Sequence, residues 1–228
     1  MLEMSSPSAQ AGRHAGHSSL LYNLAGITVL VLLLAVGMAY LIDDLGRSSR
    51  IPAPSLDDAD TISQTISGRE LSIPAAWFRY GEQIRNGFTD QIDLRILYAP
   101  AGAAAPVPVD ITLLPRSRAR ASSSLLDRVY LHQFGDETLT GVSGLVGKPM
   151  LARNGYVGES VWYDALSPNP FVAKCVEPVA ADGVAQCVRT THLPSGIAAV
   201  YTFDASLLQS WRQFDAEMQR WLKPIGAW

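Results

Sequence analysis

Hydrophobic residues follow three different patterns along this chain. Residues 20–42 form an unbroken apolar run, LLYNLAGITVLVLLLAVGMAYLI. From about residue 60 to residue 204, short stretches alternate apolar and polar positions, which is typical of half-buried strands. From Leu207 onward, apolar residues recur at spacings of four and three, which indicates one stripe of a helix. The patterns predict an α+β chain with an N-terminal apolar helix, a mainly antiparallel β domain and a C-terminal amphipathic helix.

The apolar run predicts a transmembrane helix from Leu20 to Ile42. It contains no charged residue, and a helix of this length covers about 34 Å, enough for the hydrocarbon core of a bilayer. Tyr22 and Tyr40 lie near its two ends, where aromatic rings favour the headgroup layers. The run therefore predicts that the chain contacts the lipid bilayer through this helix.

A cleaved signal peptide is the alternative interpretation of the same run, because Gly37, Met38 and Ala39 resemble a small-x-small cleavage site. The run is longer than the apolar region of a usual signal peptide. The polar residues before it carry only Arg13 as a fixed positive charge. These features favour an uncleaved signal-anchor, and hence a single-pass protein.

Four regions follow from the composition. Residues 1–19 are a polar N-terminal tail, residues 20–42 the transmembrane helix, and residues 43–59, rich in proline, serine and charge, a linker. Residues 60–228 are long enough for one soluble β-rich domain, with a C-terminal helix over residues 205–222.

About eight short strands are expected in this domain. TISQTISGRELSIP reads as two strands that turn at Ser67 and Gly68. QIDLRILYA places Asp93 and Arg95 on the face opposite its apolar residues. Its inward residues are Ile92, Leu94, Ile96 and Tyr98, and further strands are expected in VDITLL, RVYLHQF, ESVWYDAL, FVAKCVE, VAQCVRTT and IAAVYTF.

The two cysteines, Cys175 and Cys187, lie in two of these strands, and a turn at Asp182 and Gly183 would place them opposite each other. We predict a disulfide between them. Two free thiols, a redox pair or half of a metal site are the alternatives, although the C-x-x-C spacing of redox and zinc sites is absent.

The predicted disulfide decides the orientation, because the flanking charges are nearly balanced: Arg13 before the helix, Arg47 and Arg50 after it. Disulfides persist in oxidising compartments. The sequence therefore predicts a bacterial inner-membrane protein with a cytoplasmic N-terminus and a periplasmic C-terminal domain.

The apolar stripe of the C-terminal helix has two interpretations. The ordinary one is a helix that packs on the sheet, with Asp204 as its N-cap and Lys223 and Pro224 at its end. The alternative is a partner-binding face, because tryptophan is frequent among interface anchors. The residues of this face would be Trp211, Phe214, Met218 and Trp221.

A second candidate contact surface is the basic segment PRSRARASSS. If it is extended, Arg116, Arg118 and Arg120 lie on one face and could contact anionic lipid headgroups. The alternative is a charged edge that prevents aggregation of strands.

Catalytic and cofactor motifs are weak. Gly141 to Pro149 resembles a phosphate loop but has the wrong glycine spacing and lacks the Ser/Thr that would bind magnesium, so we expect a flexible hairpin loop there. No G-x-S-x-G motif is present, and His132 and His192 are the only histidines of the domain that could act as bases. The net charge is −3 and the pI is near 5.8, which disfavours nucleic acid. We expect no nucleotide, no cofactor and no metal site.

Three segments carry a resemblance to known sequences: SIPAAWFRYGEQIRNGFTDQIDLRILYA, SPNPFVAKC and CVRTTHLPSGIAAVYTFDASLLQSW. Together they resemble uncharacterised single-pass membrane-anchored proteins of alphaproteobacteria. The resemblance implies an envelope compartment and carries no activity. Sequence alone thus favours a non-catalytic, membrane-tethered periplasmic domain that binds or scaffolds another envelope protein, with an envelope hydrolase as the alternative.

Overall fold

The structure, a computed structural model, describes residues 17–48, 54–55, 60–103, 105–178, 180 and 183–228. In the first helix it describes side chains for residues 24–40 only. The chain divides into two units, residues 1–51 and residues 52–228.

The first unit contains helix α1, His17–Ser48, which includes the apolar run. Its described large apolar side chains, from Leu24 to Tyr40, are between 57% and 72% exposed. Residues 43–48, expected in the linker, are helical. Among the described residues, no helix has both the length and the hydropathy required to cross a membrane. The transmembrane helix therefore stays a prediction.

The second unit begins with a small sheet of three strands. Strands β1, Thr61–Ile66, and β2, Arg69–Pro74, form an antiparallel hairpin, and β3, Gly87–Phe88, pairs with β1 in parallel. Ser67 and Gly68 both have positive φ, 53° and 75°, as the tight turns of two-residue hairpins require. The predicted turn at these residues is confirmed.

The large sheet has seven strands in the order β4-β5-β10-β9-β8-β7-β6, and all its neighbouring strands are antiparallel. The predicted α+β class with a large antiparallel sheet is confirmed. The strands are β4, Ile92–Tyr98; β5, Val107–Pro115; β6, Val146–Pro149; β7, Glu159–Tyr163; β8, Val172–Val176; β9, Gln186–His192; and β10, Ile197–Asp204.

The C-terminal helix packs its apolar stripe on this sheet. The predicted helix over residues 205–222 is present in two parts, a 3₁₀ segment, Ala205–Ser210, and the α-helix Trp211–Leu222. Asp204 caps the first part, since its carboxylate accepts a hydrogen bond from Ser206 N at 2.7 Å. The expected inward residues of β4 are all buried, so the core lies between the sheet and this helix.

Two segments differ from the sequence prediction. RVYLHQF is not a strand: helix α2, Ser122–Arg128, precedes a 3₁₀ turn, Tyr130–Gln133. Leu126 and Tyr130 are four residues apart and both pack into a second core cluster, so tertiary burial outweighs the β preference of this segment. The glycine-rich segment after Gly141 was expected to be a loop, but its end forms edge strand β6. Since α2 is the second α-helix, the C-terminal one, Trp211–Leu222, is α3.

Asp93, expected on the outer face of β4, is almost fully buried. Thr112 Oγ1 donates to one carboxylate oxygen at 2.6 Å, and the side-chain amides of Gln83 and Gln91 donate to the other at 2.9 and 2.8 Å. Burial alone would raise the pKa of Asp93, but these three hydrogen bonds and the charge of Arg79 lower it below its ordinary value of 3.8.

We expect Asp93→Asn to lower the free energy of unfolding by about 1–3 kcal/mol at neutral pH, because an amide cannot accept from all three donors. Since the folded-state pKa is lowered, the carboxylate stabilises fully above its unfolded pKa near 3.9, and this contribution is lost as pH falls through the folded-state pKa. Urea denaturation of the wild type and Asp93→Asn should show that their free energies of unfolding differ less at pH 3 than at pH 7. An equal difference in the free energy of unfolding at the two pH values would contradict stabilisation by the Asp93 carboxylate.

Candidate functional site

Cys175 and Cys187 face each other across strands β8 and β9. They are direct partners in the antiparallel register, their Cα atoms are 3.9 Å apart, and their sulfur atoms form a disulfide. In the connection between the strands, Gly183 N donates to Ala180 O; Asp182, expected in this turn, lies outside the described residues. The predicted disulfide is present, so the alternatives with two free thiols or a metal do not apply.

The proposed partner-binding stripe lies in the core. Phe214 and Met218 are fully buried and Trp221 is nearly so, with its ring 5.0 Å from that of Trp77. Trp211 is half-buried and donates its indole N–H to a loop carbonyl at 3.0 Å. These residues therefore pack on the sheet, and they do not form an open partner-binding face.

The basic segment is not extended. Arg116–Arg118 forms a 3₁₀ turn, so the alternation that placed three arginines on one face does not apply. Arg118 pairs with the exposed Asp90 at 2.8 Å, and Arg116 and Arg120 are exposed. A contact of Arg116, Arg118 and Arg120 with anionic lipid stays a prediction. The extended conformation on which it was based is wrong for Arg116–Arg118.

A cleft of about 350 Å³ opens where β8 and β9 separate. The pairing of these strands ends at Lys174 and Val188, whereas β9 continues to His192. Beyond that point Ser122 of α2 replaces a partner strand, since its Oγ accepts a hydrogen bond from Thr190 N at 2.8 Å. We call this the Arg189 cleft; its lining includes Asn169, Arg189, Thr191, His192, Tyr201 and Asp215.

Arg189 forms one wall of the cleft and is only 5% exposed. Its Nε and Nη2 donate to the two carboxylate oxygens of Asp215 at 3.0 and 2.6 Å, and its Nη1 donates to Val172 O at 3.2 Å. The guanidinium also lies 4.3 Å from the ring centre of Phe171. This two-point contact fixes α3 to β9, and the two charges compensate each other.

Tyr201 contributes a buried hydroxyl to the cleft. The residue is 1% exposed, and burial raises the pKa of the Tyr201 phenol far above its ordinary value, so the group is neutral. Its described hydrogen bond is with Thr191 Oγ1, at 3.5 Å, the outer limit for such a bond. The hydroxyl pair of Tyr201 and Thr191 is therefore only weakly satisfied by the protein.

Ser123, His192 and Asp215 all line the cleft, which raises the question of a hydrolase. His192 Nε2 lies 2.8 Å from Ala119 O, and because a carbonyl only accepts, this nitrogen carries the proton. Asp215 is held by Arg189. Within the described part of the chain, no hydrogen bond links Ser123, His192 and Asp215, so the contacts of a nucleophile with its base are not formed. His132 is exposed and lies outside the lining.

Sequence reasoning missed Arg189 and Tyr201, although one signal pointed to the arginine. In a strand, residues two apart share a face, so Arg189 lies on the same face as Cys187, which was expected to be buried in a disulfide. A charged residue on such a face needs a compensating partner. The sequence did not identify that partner as Asp215, because Asp215 lies 26 residues away on α3.

No protein family matches the chain, and no curated protein matches it. Among solved structures, the chain is similar to an immunity protein of the Stenotrophomonas maltophilia type IV secretion system, with 14% identity, a TM-score of 0.51, and coverage of 74% of this chain and 93% of the other. It also matches the iron-regulated outer membrane lipoprotein FrpD of Neisseria meningitidis, with 10% identity, a TM-score of 0.49, and coverage of 77% and 96%. The first likeness shows a shared fold; the second carries no argument.

Proposed function

We propose that this chain is a membrane-tethered domain that faces the periplasm of a bacterium and binds a component of the cell envelope without catalysing a reaction. The observation that carries the proposal is the Arg189 cleft. Its polar groups can hydrogen bond to a ligand, whereas His192 and Asp215 are engaged with Ala119 O and Arg189, and no hydrogen bond among the described residues joins either of them to Ser123. This combination favours binding over hydrolysis.

The tether in this proposal is the helix from Leu20 to Ile42, which inserts into the inner membrane. The exposed apolar side chains described in α1 support it. In water such a surface costs about 25 cal/mol for each Å² that stays unburied, and a bilayer core accepts a helix of about 20 apolar residues. The absence of charge in residues 20–42 supports the same assignment.

The periplasmic location rests on the Cys175–Cys187 disulfide. Disulfides are stable in the bacterial periplasm and are reduced in the cytoplasm. With one membrane span, a periplasmic domain at the C-terminal side places the N-terminal tail in the cytoplasm.

Another envelope protein is the partner we favour. The shared fold with an immunity protein of a secretion system supports a role at the cell envelope by analogy. The analogy concerns the scaffold alone, since the two chains share 14% identity.

Two measurements in cells test tether and location together. A periplasm-dependent reporter fused to the C-terminus should be active, and a cytoplasm-dependent reporter inactive. After denaturation, which exposes both buried residues, Cys175 and Cys187 should resist alkylation until a reductant is added, because both are oxidised. A cytoplasm-only reporter signal, or thiols that react without reductant, would overturn the assignment. A matched fusion without residues 20–42 is the control for insertion.

An envelope hydrolase is the second candidate, favoured by the presence of Ser123, His192 and Asp215 in one cleft. It predicts that the protein cleaves activated ester substrates and that Ser123→Ala abolishes this activity. A neighbouring exposed serine, Ser124, provides the control substitution. Equal background rates in the wild type, Ser123→Ala and Ser124→Ala would exclude a Ser123 nucleophile.

A further inference from the structure

Tyr201 and Thr191 leave one hydroxyl proton without a protein acceptor among the described residues. Two hydroxyls carry two protons, but the pair shares a single hydrogen bond. Which of the two oxygens donates does not change this count. Since Tyr201 is 1% exposed, a Tyr201 proton left without an acceptor at this depth is unfavourable. An acceptor oxygen that enters the cleft would remove this cost.

The rim of the cleft carries further groups for a polar ligand. Within the described residues, no hydrogen bond engages the hydroxyl of Ser123 or the carboxamide of Asn169, and both line the cleft. A carboxamide offers one acceptor and two donor hydrogens. The half-buried ring of Trp228 adds an aromatic surface to the same lining.

Charge and size narrow the class of ligand. The full charges of Arg189 and Asp215 compensate each other through two hydrogen bonds, so neither is left unpaired to attract an ion. The volume of about 350 Å³ is near the lower end of the roughly 300–1,000 Å³ of small-molecule sites. A ligand that fits is small, neutral and rich in hydroxyl or amide groups, with an apolar face for the aromatic ring.

An extended peptide fits less well. A peptide that adds to a sheet needs free backbone groups along a strand edge. At the edge of β9 that opens beyond Val188, Thr190 N already donates to Ser122 Oγ, and Val172 O, on the facing strand, already accepts from Arg189. Recognition in this cleft therefore depends on side chains.

We propose that the Arg189 cleft binds one neutral, N-acetylated sugar ring of an envelope glycan. A ring hydroxyl or the acetyl oxygen accepts the proton of the Tyr201–Thr191 pair, Asn169 and Ser123 bind groups at the rim, and Trp228 contacts the apolar face of the sugar. This inference goes beyond the proposed function, and it does not depend on the side of the membrane that the domain faces.

The test is a titration of the full chain in detergent with N-acetylglucosamine and its β-1,4-linked dimer. Calorimetry and ligand-observed NMR measure the binding. Tyr201→Phe removes one oxygen and should weaken binding about tenfold, because the buried hydrogen bond is lost while the ring stays in the core. Asn169→Ala should weaken it several-fold. The matched control is Tyr98→Phe, a buried tyrosine that also contacts Phe214 but lies outside the lining; it should bind as the wild type does.

Three outcomes would overturn the proposal. The first is no saturable binding of either sugar to the folded wild-type protein. The second is equal binding by Tyr201→Phe and the wild type. The third is saturable binding of a capped tripeptide, with loss on Tyr201→Phe, when neither sugar binds; the cleft would then be a peptide site. The reporter experiment above can fail without affecting this titration, so the two proposals are tested separately.

Discussion

Phe214→Ala is expected to lower the free energy of unfolding of the domain by about 4 kcal/mol. Truncation of a buried phenylalanine removes its transfer free energy and leaves a cavity, at a cost of about 3–5 kcal/mol. Phe214 is fully buried and lies 4.7–6.3 Å, between ring centres, from four other aromatic rings, so the site cannot easily collapse. These rings belong to Tyr98, Phe171, Tyr201 and Phe203.

Chemical denaturation of the full chain in a mild detergent measures this effect. All five tryptophans lie between residues 77 and 228, so their fluorescence reports on the domain and not on α1. The control is Gln213→Ala on the exposed side of the same helix, which should change the free energy of unfolding by less than about 0.5 kcal/mol. A loss below 1 kcal/mol for Phe214→Ala would contradict the core position of this residue.

The stripe that contains Phe214 shows where sequence reasoning reached its limit. Spacings of four and three predict a helix with one apolar face, and that helix is present. The same pattern fits packing on the protein's own sheet and packing on a partner. The choice depends on whether β4, β5 and β10 present a complementary face, and β4 and β5 are far from the helix in the sequence.

Strands were predicted well where alternation was regular. β4 and β8 have inward apolar residues at every second position, and the cysteines of β8 and β9 are paired as expected. The segment RVYLHQF contains β-prone residues, yet it forms the end of α2 and a 3₁₀ turn. Leu126 and Tyr130 both pack into the second core cluster, which includes Val161 of β7 and Val172 of β8.

The buried polar groups were the least predictable. Asp93 and Arg95 alternate with apolar residues and looked alike, but Asp93 is enclosed by three donors whereas Arg95 is exposed. Two of these donors lie outside the strands, Gln83 in a short 3₁₀ turn and Gln91 in a loop. Loop side chains carry no periodic signal, so no sequence pattern foretells which charged residue they cover.

Asp215→Ala is the second substitution with a large expected effect, a loss of about 3–4 kcal/mol. It leaves the guanidinium of Arg189 buried, with only Val172 O and the ring of Phe171 as described contacts. Removal of one partner of a buried ion pair costs about 3–5 kcal/mol, because the remaining charge is uncompensated. The side chain of Asp215 is itself 48% exposed, so a value near the lower end is expected.

The reverse substitution should be milder. Arg189→Met keeps an apolar chain of similar length against Phe171, and the carboxylate left at position 215 can be hydrated because it is half-exposed. We expect a loss of about 1–2 kcal/mol from the missing hydrogen bonds. The exposed pair of Arg118 and Asp90 provides the control: Asp90→Ala should cost at most about 1 kcal/mol.

The double variant Arg189→Met with Asp215→Ala shows whether the stability lost in Asp215→Ala comes from a buried, uncompensated charge or from lost contacts. If the cost of Asp215→Ala comes from the buried, uncompensated guanidinium, then removal of that guanidinium restores stability, and the double variant is more stable than Asp215→Ala alone. If the cost came only from lost packing on α3, the two substitutions would add, and the double variant would be the least stable. Denaturation of the four proteins under one condition distinguishes the two, and additive losses would contradict the role assigned here to the Arg189–Asp215 pair.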